Sequence, residues 1–419
     1  MTDAHGLVDH LFRERAGQML AWLTRVFGPA HLDLAEEVVQ DALVKALQQW
    51  PYAGVPANPA GWLFQVARNG AIDAVRRHRS FRHHATAIAA ELTRSAEILA
   101  LGSVAAGDLI QDDELRMIFL CCHPALPRDA RVALSLKTAG GFSVQEIARA
   151  FLTNDAVIAQ RLVRAKRRLR ELDVPFELPG GVALAERIDS VLEVVYLLFN
   201  EGYAAREGDD LVRLDLCVEA LRLARLVAGS AVTAAPAAHA LLALIAFQSA
   251  RLPSRVDDAG EIVLLEDQDR SLWDPRLIAL GFTHLERSAH GRAMTPYHAQ
   301  AAIAATHAGA ASAHETRWDV ILSLYDDLLA LNPSPLVALN RVVAVWKVKG
   351  LDHALQDLAT LENAPALAGY YLLPVVKGRL LAASGDGEAA RRTLEAALTL
   401  PCSEPERRLL RRQIARLGN

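Results

Sequence analysis

Cysteine is scarce in this chain, with four residues in 419, and no two of them stand in C-x-x-C spacing. Cys121 and Cys122 are adjacent and followed by His123, but neighbouring thiolates cannot easily share one tetrahedral ion, so no metal centre is expected. Cys121, Cys122, Cys217 and Cys402 read instead as small buried hydrophobes in a reducing compartment. No stretch reaches the roughly 18 uninterrupted apolar residues of a membrane span, and the N-terminal residues do not have a signal-peptide pattern. A cytoplasmic protein without a membrane partner is therefore expected. Aromatic residues make up only 6% of the chain against 52% hydrophobic residues overall, mostly alanine and leucine, which suits an all-α globular protein. No Ser-His-Asp grouping, phosphate-cradling glycine loop or paired catalytic carboxylates stand out. The expectation is a non-enzyme without a cofactor. A catalytic site at His284 with Asp267 and Glu266 is the weaker alternative.

The net charge of −4 looks wrong for a nucleic-acid binder until it is divided along the chain. Residues 1–175 hold 21 Lys and Arg against 19 Asp and Glu, whereas the remainder holds 24 against 30. Residues 161–170 contain six cations and no acid. Local patches of this kind, and not the net charge, decide where a polyanion docks. The length itself predicts roughly two to four domains.

The densest signal lies between Gly140 and Arg170. Ser143 and Glu146 form an S-x-x-E capping box that starts a helix with Ile147, Ala148 and Phe151 inside. A break at Leu152 and Thr153 follows, and Asn154 with Asp155 starts a second helix. Val157, Ile158, Leu162, Ala165 and Leu169 recur there at helical spacing, while Gln160, Arg161, Arg164, Lys166, Arg167, Arg168 and Arg170 cover the rest. This is the pattern of a helix-turn-helix, whose second helix enters the DNA major groove with its early residues at base edges. Val157, Ala159 and Gln160 are expected near bases, and Arg161, Arg164, Lys166 and Arg167 near phosphates. Six phosphates neutralised would give a log-log salt slope of roughly −5.

Upstream, residues 7–27 and 33–49 have helical periodicity. In the second of these, Leu34, Ala35, Val38, Val39, Ala42, Leu43, Ala46 and Leu47 make an inner face opposite Glu36, Glu37, Gln40, Asp41 and Lys45. The loop WPYAGVPANP ends it, and Asn58 followed by Pro59 opens a third helix. That helix reads W-L-x-x-x-A-R-N-x-x-I-D-x-x-R-R from Trp62 to Arg77, with Arg79 and Arg82 extending its charge. Trp62 reads as a core residue more than a stacking platform. Residues 83–111 read as a moderately polar linker.

This order of acidic helix, loop, Arg-rich helix, linker and helix-turn-helix resembles regions two and four of sigma factors, in the compact form called extracytoplasmic-function (ECF) sigma factors. The resemblance covers residues 7–80 and 112–170 and implies roles. Glu37, Val38, Gln40 and Asp41, with Val39 among them, match the segment that holds core RNA polymerase. Pro51–Asn58 matches the loop that captures a flipped base of the −10 element. Asn58, Arg68, Asn69, Asp73, Arg76 and Arg77 would meet promoter DNA at −10, and the helix-turn-helix would read −35. Leu152 stands where many such turns carry glycine. A helix-turn-helix regulator that works without polymerase is the alternative.

Residues 186–419 read as successive amphipathic helices at about 186–200, 211–228, 235–251, 275–290, 295–309, 316–331, 335–349, 351–361, 366–383, 386–399 and 404–417. Breaks at Gly350 and Gly385 lie about 35 residues apart, which suggests stacked helix pairs like tetratricopeptide (TPR) repeats, mainly over 317–417. Such an array could bind a regulatory protein or act only as a scaffold. LFNEGY (198–203) ends an apolar helix, and residues 261–274 predict a short hairpin and an acidic turn. Asp257, Asp258, Glu266, Asp267, Asp269 and Asp274 there could hold a cation. The more ordinary expectation is that they cap helices or pair with Arg255, Arg270 or Arg276. Both segments resemble the sigma-factor subgroup with a TPR-like extension. The chain then divides into 1–82 (region two), 83–111 (linker), 112–175 (region four), 176–310 (helical extension) and 311–419 (helical repeats).

Overall fold

A computed structural model of the chain describes residues 2–78, 81, 83–101, 104–151, 153–203, 212–257, 259–291 and 293–417. It falls into two compact units, Met1–Leu197 and Leu198–Asn419. Among the described residues it is all-α, with one isolated antiparallel bridge between Val256 and Ile262. Arg79, Leu152 and Asp258, along with Arg82 and Gly102, lie outside the described residues.

In the first unit, α1 (Thr2–Phe27) is packed against α2 (Leu32–Ala53), α3 (Pro59–Arg77), α4 (Ala85–Leu101) and α5 (Val104–Cys121). Met19, Trp22, Leu23, Leu63, Phe64, Leu92 and Met117 are fully buried between them. Each such large apolar side chain contributes about 1.5–3 kcal/mol by leaving water. The Trp22 ring meets Phe64 edge-on at 5.6 Å and donates its Nε1 hydrogen to Ser95 at 2.8 Å. The stretch read as a linker thus holds α4 and the start of α5, and Leu92, Ala96 and Leu99 bury an apolar stripe. An ion cluster ties it down: Asp113 accepts from Arg25 and Arg116, each at 2.9 Å, and Arg25 also reaches Glu91 at 2.9 Å. Burial pushes the Asp113 carboxyl up, against the pull of both guanidiniums. Asp113 is buried and its partners are only partly so, so loss of one guanidinium costs about 1–3 kcal/mol.

Helix α2 runs through Pro51 to Ala53, so the expected loop is shorter than its composition suggested and begins at Gly54. Pro51 has no N–H to give the Leu47 carbonyl, so the last turn forms with one i→i−4 bond fewer. The unit is completed by α6 (Arg128–Thr138), α7 (Val144–Ala150), α8 (Asp155–Glu171) and the first part of α9 (Gly181–Tyr203). Arg131 donates to Ser190 at 2.7 Å and Arg128 pairs with Glu193 at 2.9 Å, which holds the start of α9 on α6. Cys121 and Cys122 are buried on the same packing surface, bonded to Thr138 at 2.9 Å and Ser135 at 3.5 Å. Burial pushes the Cys122 thiol up to about 12.

In the second unit, α11 (Pro236–Ala250) is apolar on all sides and is accordingly enclosed, by α10 (Leu214–Gly229), α12 (Pro275–Ser288) and α13 (Pro296–Ala308). Helices α14 (Trp318–Leu331), α15 (Pro335–Lys349), α16 (Leu351–Leu361), α17 (Leu372–Ala383), α18 (Gly387–Ala397) and α19 (Glu404–Arg416) follow, each packed on its predecessor. Their bounds lie close to the periodicity-based ones because proline opens α11, α12, α13 and α15 at the first helical positions. Gly350 and Gly385 close α15 and α17 with φ of 91° and 86°, a left-handed conformation that only glycine adopts without cost.

Two buried histidines make this unit acid-sensitive. Burial pushes His307 down to about 4, with Arg251 and Arg270 adding to the shift. His284 is likewise at about 4, through burial and then its neighbours His239, Arg287 and Arg225. Both are neutral in the fold, whereas in the unfolded chain they take a proton near pH 6.5. The unfolded state therefore binds more protons below that value, and stability is lost as pH falls from about 6.5 toward 4. His307→Gln should shrink the stability loss between about pH 7 and pH 5 by roughly 1–2 kcal/mol, read from denaturant unfolding; an unchanged loss would contradict this assignment.

Candidate nucleic-acid interface

The capping box forms as the sequence predicts. Ser143 accepts from the Glu146 backbone at 3.1 Å, and Glu146 accepts from the Ser143 backbone at 2.7 Å. Asn154 then caps α8 by accepting from Val157 N–H at 2.9 Å. Ile158, Leu162, Ala165 and Leu169 are the buried residues of α8, packed toward α6 and α7. Val157, assigned above to both the stripe and the base contacts, is 40% exposed and belongs with the second set.

With one stripe fixed, helical rotation decides every other direction. At 3.6 residues per turn, Val157, Gln160, Arg161, Arg164 and Arg168 fall within about 100° of arc on one side. They line a groove with Leu126, Pro127 and Asp129. Gln160, Arg164 and Arg168 are exposed there, and Arg161 is held at 3.6 Å from Asp129. Among the described residues Arg164 has no ion pair. Arg167 is exposed beside this arc and pairs with Glu171 at 2.8 Å. Ala159, Lys166 and Arg170 fall on the other flank, toward α2. The Lys166 side chain is only 11% exposed and its ammonium lies 2.9 Å from Asp33 and 2.6 Å from Glu36, while Arg170 lies 2.7 Å from Asp33. These two cations raise no objection to DNA binding by α8, but they do not share the Arg164 face. The Asp33 carboxyl is held below the usual range despite its partial burial, because Lys166 and Arg170 hydrogen-bond to it.

On α2, Glu37, Gln40 and Asp41 are exposed and Val38 and Val39 are buried. Val38 therefore supports that face from below, beside Gly70 of α3, and does not present itself to a partner. Leu47, assigned above to the inner face, is 59% exposed, and Val44 is 48% exposed. Both rise beside the three polar residues, so the exposed face of α2 mixes carboxylates with aliphatic surface. Alternation alone could not reveal this, because leucine at that position fits either edge of the inner stripe.

On α3, Asn69, Asp73, Arg76 and Arg77 are exposed along one face. Arg76 lies 3.8 Å from Asp73, and Arg77 donates to the Asp73 carbonyl at 3.3 Å. Arg68 lies beside them and donates to Asn69 at 2.9 Å. The Asn58 side chain accepts from Gly61 N–H at 2.9 Å and so acts as the helix cap. Trp62 is half-buried and packs edge-on against buried Trp50 at 5.5 Å, in keeping with a core role. Tyr52, within the Pro51–Asn58 segment, is 92% exposed at the end of α2.

Three of the acidic residues of 257–274 are spent on local structure. Asp257 accepts from the backbones of Ala259 and Glu261, Asp269 caps the turn at Ser271, and Asp274 caps α12. Glu266 pairs with Lys347 and Arg379, and not with the arginines proposed above. His284 bonds to His239 at 3.0 Å, and no hydrogen bond among the described residues joins it to Glu266 or Asp267. No helix among the described residues is long and apolar enough to cross a membrane.

Comparison with known proteins bears on this geometry. Sigma-70 region 2 matches residues 11–81, sigma-70 region 4 matches residues 116–169, and a family of unknown function, DUF6596, matches residues 187–289. An uncharacterized protein of Rhizobium meliloti (strain 1021) is 40% identical over 426 aligned positions, covering 100% of this chain and 97% of that protein. The ECF RNA polymerase sigma factor SigM of Bacillus subtilis (strain 168) is 26% identical over 39% of this chain and 94% of its own length. The probable RNA polymerase sigma factor RfaY of Xanthomonas campestris pv. campestris is 32% identical over 32% of this chain and 33% of its own. No solved structure matches the chain. With both sigma-70 regions matched, the chain belongs to the extracytoplasmic-function branch of the sigma-70 family, followed by a helical C-terminal part.

Proposed function

We propose that this chain is an alternative sigma factor that docks on core RNA polymerase and directs initiation from promoters with −35 and −10 elements. Polymerase is held by the exposed face of α2, through Glu37, Gln40 and Asp41 with Val44 and Leu47 beside them. Helix α3 meets −10 DNA through Asn69, Asp73, Arg76 and Arg77, with Arg68 at its edge and Asn58 shaping the loop that precedes it. Helix α8 reads −35 with Val157 and Gln160 toward bases and Arg161, Arg164 and Arg167 toward phosphates. Ala159 lies toward α2, and Lys166 reaches a phosphate only if its pair with Asp33 and Glu36 opens. The protein works in the cytoplasm, without chemistry of its own. Residues 1–82 and 112–175 act as the two promoter-binding modules. Residues 176–419, TPR-like from 311 onward, serve regulation or bind a partner protein.

The observation that carries this reading is the rotation of α8, whose buried stripe turns Gln160 and Arg164 outward. The experiment that tests it is transcription in vitro with core polymerase and the full chain. Initiation should depend on the chain, and Asp41→Arg should abolish it by weakening polymerase binding while the unfolding curve stays unchanged. Initiation by core polymerase with Asp41→Arg at the wild-type level would remove α2 from the polymerase contact.

The two flanks of α8 predict different salt behaviour for the reconstituted holoenzyme on a promoter fragment. Arg164→Ala should flatten the log-log salt slope by about one unit, whereas Lys166→Ala should leave it unchanged. Equal flattening by both would mean that the Lys166 pairs open on DNA. In the free chain, a double-mutant cycle of Lys166→Ala with Glu36→Ala should give a coupling of about 1–2 kcal/mol in unfolding free energy. A coupling near zero would show that the two groups do not meet in solution.

A further inference from the structure

The second unit contains a cavity of about 580 Å³ between the 264–270 loop, the turn before α14, and helices α15 and α17. It has an apolar wall, an unused polar group inside, and an excess of cations at its mouth.

The wall comes from Leu264, Leu265 and Val343 with the Trp318 ring. His307 is 8% exposed and meets Trp318 edge-on at 5.4 Å. Its backbone carbonyl accepts from Arg270 at 2.6 Å, but among the described residues neither of its ring nitrogens has a hydrogen-bond partner. Neither ring nitrogen is fully enclosed, so both remain available to a group inside the cavity. Burial keeps this ring neutral, so it offers one donor and one acceptor to the cavity.

At the mouth, Lys347 and Arg379 share the single carboxylate of Glu266, the first at 3.4 Å. One acid between two cations leaves one positive charge in excess. The Lys347 ammonium also lies 5.1 Å from the Trp346 ring and 5.9 Å from that of Trp318, which keeps it over aromatic surface at the entrance. Arg270 does not contribute to this excess at the mouth in the same way. Its guanidinium is spent on the carbonyls of His307 and Ala310 and on the Thr316 hydroxyl, and so it holds the wall together.

We propose that this cavity binds a small planar aromatic carboxylate that carries a hydroxyl group. The ring system lies against Trp318, Leu264 and Val343, and the carboxylate displaces Glu266 from Lys347 and Arg379. The hydroxyl at the far end bonds to the open ring nitrogen of His307. The volume falls within the usual range for small-molecule sites, roughly 300–1,000 Å³. The mixture of apolar wall, few polar groups and one-signed mouth selects against cations and against fully polar anions. This inference does not depend on how the first unit meets DNA or polymerase, so the two readings fail separately.

The probe is hydroxynaphthoate, titrated into the full chain by calorimetry, with hydroxynaphthamide as the uncharged analogue and naphthoate as the analogue without hydroxyl. Hydroxynaphthoate should bind saturably, and the amide at least about tenfold more weakly, as one charge-assisted bond requires. Arg379→Ala and Lys347→Ala should each weaken the acid about tenfold and leave the amide unchanged, while Glu266→Gln should tighten the acid severalfold. His307→Phe should remove the preference for hydroxynaphthoate over naphthoate. Unfolding temperatures within about 2 °C of wild type confirm that each variant is folded. The proposal is overturned if the amide binds as tightly as the acid, if the mouth variants leave acid binding unchanged, or if no saturable binding occurs.

Discussion

The rotation of α8 about its own axis is the constraint on which the functional surface depends. Four small and medium aliphatic side chains, Ile158, Leu162, Ala165 and Leu169, are each withdrawn from water almost completely. Turning the helix by one residue would expose this stripe and bury arginines, at a cost of several kcal/mol. Packing of these four apolar groups thus aims the residues of the opposite face, although none of the four is itself exposed. The capping interactions of Ser143, Glu146 and Asn154 set where the two helices begin. They fix the phase of the pattern along the chain, and the stripe fixes its direction in space.

The same cations then meet two different kinds of acid. Arg167 and Arg168 pair with Glu171 one turn away on their own helix, in exposed positions where such pairs are weak. Lys166 and Arg170 meet Asp33 and Glu36 across more than a hundred residues of sequence. These acids belong to the helix whose next turn carries Glu37, Gln40 and Asp41. The proposed polymerase contact and the proposed −35 reader are therefore physically linked through one short cluster of charges.

In the second unit, charge serves local architecture. Asp257, Asp269 and Asp274 saturate backbone donors at turns and a helix start, which is the ordinary use of short acidic side chains. Glu266 differs because it has a longer side chain and faces two cations from α15 and α17. The loop that carries it also contributes Leu264 and Leu265 to the cavity, so one segment supplies both its apolar wall and its charged mouth.

Much of this was legible in the sequence, for identifiable reasons. Helix starts follow from prolines and capping residues, and helix ends at Gly350 and Gly385 follow from backbone conformations that other residues resist. The face of α8 followed from period for Ile158, Leu162, Ala165 and Leu169, while Val157 fitted either side. Where the pattern was ambiguous, only packing could decide. Leu47 sits at the margin of its stripe and is exposed, Val38 sits among contact residues and is buried, and the stretch at 83–111 hid a buried stripe under moderate polarity. Local sequence thus determined most of the helices and the sign of charge on each, but neither α4 nor the end of α2. Tertiary structure decided which cations stay free and which are paired, since ion pairs such as Lys166 with Glu36 and Glu266 with Arg379 join residues that neighbour each other only after the chain has folded.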